Sequence, residues 1–305
     1  MAYTVTAPVA NDIDLASRFL PILDETYKYA SRSAILDTEE ERVRWVGAKT
    51  VNLFNLDAVG LGNYSRNNGF VSGDINGAWE PYTLEVDRGR SYMVDVMDND
   101  ESLGMAFGSL AGVVMRQEVT PEVDAYRFAK YAGTAGILSA TPTTIDSNTN
   151  VAAMIDAAQA EMDDAEVPYE GRILFISPKA YGQLKNDITR YTMNREGNIN
   201  TNIETYNDLR VITVPQARFN TQVTLNAPTN ASDVGGFTAS GAPINFMIVH
   251  PSAVIQVVKH LVPRIFSPQV NQEADAWKFD YRIYHDAFVK AQKAKGIYLS
   301  AGVQG

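Results

Sequence analysis

Val51-Asn52-Leu53-Phe54 runs out from Gly47 as an apparent strand. Tyr82-Thr83-Leu84-Glu85-Val86-Asp87 runs back with apolar and polar residues in alternation, the period of a half-buried strand. Between the two legs lie Gly60-Leu61-Gly62, Asn67-Asn68-Gly69, Gly73 and Asn76-Gly77, residues that reach the backbone conformations turns demand. Gly47 to Asn99 therefore reads as one long β ribbon, with the excursion itself over 47–97. A two-stranded ribbon is marginal alone in water. Ordering about 40 residues costs roughly 1–2 kcal/mol each, and offsetting even part of that at about 25 cal/mol/Å² needs on the order of a thousand Å² of apolar contact. The ribbon offers Phe54, Leu61, Tyr64, Phe70, Trp79, Tyr82, Leu84 and Val86, but no second layer of its own. The second layer is expected from a neighbouring copy.

Before the ribbon, residues 1–13 are small and polar and read as an extended arm. Asp14 to Ala30 carries Leu15, Phe19, Ile22, Leu23 and Tyr27 at helical spacing, with Pro21 within it. Thr38-Glu39-Glu40-Glu41 fits a capping box ahead of Val43, Trp45 and Val46.

After the ribbon, Ser102 is a suitable N-cap behind acids that favour the positive end of a helix dipole. The apolar run from Leu103 through Met115 continues past Pro121 to Val123, Tyr126, Phe128 and Tyr131. It predicts a long spine helix that Pro121 kinks or divides. Val151, Met154, Ile155, Ala158 and Met162 predict an amphipathic helix. Arg172 to Ile176 reads as a buried strand, and Ser177-Pro178 opens the next helix. Residues 186–208 read as an irregular loop, Leu209 to Val214 as a strand stopped by Pro215, and 216–243 show little pattern. The closing strands are expected at Ile244–Val249, Val254–Val258, Trp277–Ile283 and Ile297–Leu299. In the third of these, Trp277, Phe279, Tyr281 and Ile283 alternate with Lys278, Asp280 and Arg282. The spine helix is expected to cover one face of these strands.

The 305 residues are 45% hydrophobic and 20% charged, an ordinary globular balance. No apolar run is long enough for a membrane helix, and no basic start with an apolar block marks a signal peptide. With no cysteine, disulfides, thiol catalysis and thiolate-bound zinc are excluded. A net charge of −10 argues against wrapping tightly around nucleic acid. From Lys259 onward the balance reverses to +3, which leaves −13 on the rest, an asymmetry able to complement between copies.

Enzyme signatures are incomplete. Gly60-Leu61-Gly62 has Ser65 where a dinucleotide loop needs Gly, and Gly47-Ala48-Lys49-Thr50 lacks the phosphate-loop glycines at Ala48 and Val43. Asp98, Asp100 and Ser102 begin like a calcium loop, but Leu103 and Ser109 stand at its obligatory Gly and Glu. His250, His260 and His285 match no zinc spacing. His285-Asp286 has no Gly-x-Ser-x-Gly partner. No catalytic residue, metal ligand or cofactor site is therefore assigned.

Several segments, in this order, carry a family resemblance: Gly60-Leu61-Gly62-Asn63-Tyr64-Ser65-Arg66-Asn67-Asn68-Gly69-Phe70-Val71, Asp87-Arg88-Gly89-Arg90-Ser91, Val119-Thr120-Pro121-Glu122-Val123-Asp124-Ala125-Tyr126-Arg127, Ile176-Ser177-Pro178-Lys179-Ala180-Tyr181, His250-Pro251-Ser252-Ala253-Val254, and Ala276 to Asp286. The chain resembles the major capsid protein of tailed bacteriophages, with the Hong Kong 97-type fold. The resemblance implies an α+β subunit with an N-terminal arm (1–30), the start of a peripheral domain (31–46), an extended β loop (47–97) and a spine helix (98–134). An axial domain (135–245) and the peripheral sheet with the C-terminus (246–305) complete it. It implies a structural protein, not an enzyme, that assembles through hexamers and pentamers into an icosahedral or prolate shell around double-stranded DNA. Assembly would take place in the host cytoplasm and leave the chain in the virion. Implied partners are further copies, a scaffolding protein and a portal, with room for a decoration protein. There is no membrane and no sequence-specific DNA contact.

The arm begins at Met1 with no long scaffolding segment before it, so a separate scaffolding protein is expected. No lysine occurs between Lys49 and Lys130. The loop therefore cannot supply the amine for the covalent cross-links some members form, and a non-covalent shell is expected. For the contact between copies, Arg66, Arg88 and Arg90 are the expected bridging groups, since Arg suits bidentate pairing. Glu80, Glu85 and Asp87 are the expected acids, and Phe70 and Trp79 the aromatic anchors. Two alternatives stand beside this reading: an encapsulin-like compartment shell, and a soluble α/β hydrolase with an unrecognised site.

Overall fold

The spine helix holds the subunit together, and the way it passes a proline explains its course. The computed structural model describes residues 31–37, 44–46, 49–58, 60–61, 63–64, 66–67, 70, 72–97, 110, 112–189, 202–230 and 233–304. Residues 112–114 are helical, Met115–Val119 form a π-helical turn, and α1 (Thr120–Ala132) follows directly. Pro121 has no N–H to donate and its ring crowds the preceding turn. The wider π turn absorbs that. The Thr120 amide donates to the Met115 carbonyl, and Thr120 Oγ1 donates to the same oxygen at 2.8 Å. The expected kink or division is thus a π turn inside one continuous helix.

The spine helix serves two cores. On one side Val114, Met115 and Val123 pack with Phe279, Tyr281 and Ile283. On the other, Phe128 and Tyr131 enter a core with Phe175, Phe219, Met247 and Val249. Phe128 meets Phe175 and Phe219 with ring centroids 5.1 Å away in each case.

The strands, in chain order, are β1 (Arg44–Val46), β2 (Thr50–Ala58), β3 (Ile75–Thr83), β4 (Val86–Asp95), β5 (Leu138–Ser139), β6 (Ile173–Ile176), β7 (Thr205–Tyr206), β8 (Leu209–Thr213), β9 (Asn220–Leu225), β10 (Phe237–Val249), β11 (Val254–Phe266), β12 (Ala276–Val289) and β13 (Ile297–Ala301). Among the described residues they form three sheets. The ribbon sheet is β1-β2-β3, the body sheet against the spine helix is β11-β12-β4, and a mixed sheet runs β5-β13-β10-β6-β8-β7 with β9 paired to β10. The helices α2 (Val151–Asp164) and α3 (Pro178–Thr189) cover the mixed sheet. Val151, Ile155, Ala158 and Met162 are buried there with Leu174, Ile176, Phe246 and Ile248. Asn150 caps α2 by accepting from the Ala153 amide at 3.0 Å, and Asp187 of α3 accepts from the Val151 amide at 2.8 Å.

Three expectations change. The closing strands do not make one sheet: β10 and β13 pair with each other, and β10 pairs with β6, while β11 pairs with β12 and β12 with β4. The alternation in β12 marks a face but names no partner, and the continuous apolar stretches Ile244–Val249 and Val254–Val258 carry no face preference at all. The poorly patterned 216–243 contains β9 and the first half of β10, a hairpin with mostly half-exposed faces. The ribbon ends at Thr83, because β4 belongs to the body, where Gly89 lets β4 lie close to β12. A Cβ there would stand 2.9 Å from the Tyr281 carbonyl oxygen. The arm at 1–30, the capping box at 38–41, the helix start at Ser102 and most of the Asn-rich loop (190–201) lie outside the described residues.

Candidate intersubunit contact surface

In the ribbon, β2 and β3 pair antiparallel from Thr50↔Thr83 to Ala58↔Ile75, which at about 3.3 Å per residue extends it by roughly 25–30 Å. Its root is buried. Val51 and Leu84 lie with Ile255, Val257, Tyr284 and Phe288 against the face of the body sheet away from the spine helix. Tyr82 packs on Phe288 with centroids 5.1 Å apart, and burial together with the Glu80 carboxylate that accepts its hydroxyl pushes the phenol up to about 12.

Beyond the root, the large apolar side chains among the described residues are exposed. Phe70 is 89% exposed, Ile75 67% and Trp79 52%, and Leu61 and Tyr64 are exposed as well. Tyr64 and Phe70 touch at 4.9 Å between centroids, so they form one aromatic knob at the far end. Exposed apolar groups gathered along one element mark an interaction surface, where scattered ones would need no explanation.

The eight expected contact residues divide between ribbon and body. Arg66, Phe70, Trp79 and Glu80 are on the ribbon, and Arg66 is exposed in its far turn. Glu85 sits at the junction, 3.6 Å from Lys130 Nζ. Asp87, Arg88 and Arg90 are on β4, where the body's own groups take them up. Asp87 accepts both Nε and Nη2 of Arg282 at 2.9 and 2.5 Å, and that guanidinium holds its carboxyl below the usual range. Arg88 donates to both oxygens of Glu122 at 2.8 and 3.1 Å and to the carbonyls of Asn226 and Gly236. Arg90 donates to the Asp233 carbonyl at 3.1 Å. Arg88 and Arg90 wall a groove of about 500 Å³ between β4, the spine helix, Pro228 and residues 233–236. They do not extend along the ribbon.

Two polar clusters were not read from the sequence. Asp124 on α1 is fully buried and accepts from Ser31 Oγ (2.7 Å), Arg32 N (2.9 Å), Ser33 N (3.1 Å), Ser33 Oγ (2.7 Å) and Arg218 Nη1 (3.2 Å). It fixes residues 31–37 to the helix. Asp286, considered in the sequence only beside His285, is buried at the ribbon root. The signal for both was a single acid inside an apolar helix or strand, which carries no hint of its partners.

The histidines have structural surroundings. His285 is buried edge-on to Tyr126 at 5.6 Å, and desolvation lowers it to about 3. His250 shares Nδ1 with Ser252 Oγ at 2.8 Å and Nε2 with the Glu170 carbonyl at 3.2 Å, and burial lowers it. Among the described residues no group of three His, Asp or Glu is placed to hold a metal ion, and no helix is long and apolar enough to cross a membrane.

No protein-family model matches the chain, and no curated protein matches it. Solved structures do. A structure from Microbacterium phage Oxtober96 aligns with a TM-score of 0.60 at 12% identity, covering 90% of this chain and 91% of its own. The capsid of Cyanophage P-SCSP1u aligns at 0.58 and 13%, covering 85% of each chain. The virus-like particle from Pyrococcus furiosus aligns at 0.54 and 10%, covering 94% of this chain and 99% of its own. The chain has the Hong Kong 97-type capsid fold, an α+β architecture, across most of its length.

Proposed function

We propose that this chain is the major capsid protein of a tailed bacteriophage, a structural subunit with no enzymatic role that closes into a shell around double-stranded DNA. The observation that carries the reading is the ribbon: a buried root followed by exposed Leu61, Tyr64, Phe70, Ile75 and Trp79, on a chain with a capsid fold. Burying that surface on a second copy supplies the layer that the described residues of its own chain do not provide. Phe70 and Trp79 are the anchors of this contact and Arg66 and Glu80 its polar rim. Glu85, Asp87, Arg88 and Arg90 are its support at the junction and on β4.

Residues 1–30 serve as an arm and 135–245 as the axial part that meets other copies in hexamers and pentamers. The net charge of −10 suits a container that encloses DNA without gripping it. A scaffolding protein and a portal are the expected assembly partners. Negative-stain microscopy and sedimentation of the purified chain, with and without its scaffolding partner, test this. Closed shells, rings or sheets are expected. A 33.5 kDa monomer under every condition overturns the proposal. Shells recovered from cells with protein cargo and no DNA convert it to a compartment shell.

A further inference from the structure

On its return leg the ribbon joins the body through Leu84 and Glu85, at which the chain changes partner strand: β3 pairs with β2, and β4 pairs with β12. A two-residue break of this kind is a ready hinge, yet here it is held from several directions. The Leu84 amide donates to the Lys49 carbonyl at 2.9 Å, on the other leg of the ribbon. The Leu84 carbonyl accepts the Tyr284 hydroxyl at 3.0 Å. The Glu85 amide donates to Asp286 Oδ2 at 2.9 Å. Asp286 Oδ1 accepts the Tyr126 hydroxyl of the spine helix at 2.8 Å and the Ala287 amide at 2.7 Å. Lys130, one helical turn beyond Tyr126, lies 3.6 Å from the Glu85 carboxylate and 5.9 Å from the centre of the Tyr126 ring.

Asp286 is fully buried. A carboxylate withdrawn from water is strongly destabilising unless donors satisfy it. The three donors here come from the ribbon junction, the spine helix and its own strand. Any swing of the ribbon that pulls the Glu85 amide away leaves a buried anion short of a partner, so the carboxylate penalises motion at this one point. We propose that Asp286 is a positioning residue that fixes the direction in which the ribbon leaves the body and ties that direction to the spine helix through Tyr126. This rests on the assembly reading only for its use: it sets the angle at which Phe70 and Trp79 reach a second copy.

The chain has no cysteine, so spin labels can be placed freely. The test compares the unassembled full chain carrying Asn76→Cys and Asp164→Cys, ribbon to body, with a control pair at Asp164→Cys and Lys293→Cys, body to body. Each is made in the parent, in Asp286→Asn and in Tyr126→Phe. Asp286→Asn is expected to widen the ribbon-to-body distance distribution about twofold and to speed exchange of the Glu85 amide about tenfold, with the control pair unchanged. Tyr126→Phe, which removes only a hydroxyl, is expected to speed that exchange about threefold. A ribbon-to-body distribution as narrow in Asp286→Asn as in the parent overturns the proposal. So does equal broadening of both label pairs, which would make Asp286 a general stabiliser. If Asp286→Asn does not fold, an unchanged Glu85 exchange rate in Tyr126→Phe overturns it. Shell formation by the unlabelled parent is scored separately, so failure of the capsid reading is distinguishable from failure of the clamp.

Discussion

The ribbon and the spine helix bury their aromatic residues in opposite ways. Phe128 and Tyr131 of α1 are wholly buried among strands of their own chain. Phe70 and Trp79 are exposed on a ribbon whose root is what the described residues cover. Both elements carry enough apolar surface to matter. The difference teaches that, among the described residues, the body supplies its own second layer and the outer ribbon does not.

The comparison can be broken most forcefully in the body. Phe128→Ala removes a ring that meets two others edge-on and should cost about 3–5 kcal/mol, read as a lower urea midpoint. Asp124→Ala leaves the buried ends of Ser33 and Arg218 without their acceptor. It should cost about 3 kcal/mol and speed tryptic cleavage after Arg32. Gly89→Ala forces β4 away from the Tyr281 carbonyl and should cost about 1–2 kcal/mol, checked by thermal unfolding.

His285 gives a pH-dependent effect. Burial lowers it to about 3 in the folded chain, against roughly 6.5 when unfolded. Between those values the unfolded chain binds the extra proton, so this contribution is complete above about 6.5 and is lost as pH falls toward 3. His285→Gln should flatten the dependence of stability on pH in that window, and an unchanged slope would exclude His285 as its source. The smallest effect on the isolated subunit belongs to the ribbon. Phe70→Ser with Trp79→Ser should move its stability by less than about 0.5 kcal/mol and yet abolish shells in the microscope.

What the sequence made legible follows from where periodicity is clean. The alternation through Phe279, Tyr281 and Ile283 marks the buried face of β12, and Val151, Ile155, Ala158 and Met162 mark that of α2. The spine helix was readable past Pro121, though its π turn was not, because the sequence does not reveal how a missing donor is accommodated. The ends of the ribbon were misjudged for a related reason. Alternation runs unbroken from Tyr82 to Asp87, while the exchange of partner strand at Leu84 and Glu85 depends on Asp286, Tyr284 and Lys49, which lie far away in sequence. Arg88 and Asp87 were grouped with the ribbon on the same basis, although they bind Glu122 and Arg282 of the body. The exposure of Phe70 and Trp79 was readable because a ribbon with aromatic residues and no second layer is an incomplete object even on paper.

Hydrogen exchange of the β2 and β3 amides, measured on the 33.5 kDa subunit and again on assembled particles, tests the central claim most directly. Exchange in the free subunit should be fast along the outer ribbon and slow in α1, and assembly should slow the ribbon by orders of magnitude while leaving α1 unchanged. A ribbon already as protected as α1 in the free subunit would contradict the account, because its second layer would then lie within its own chain.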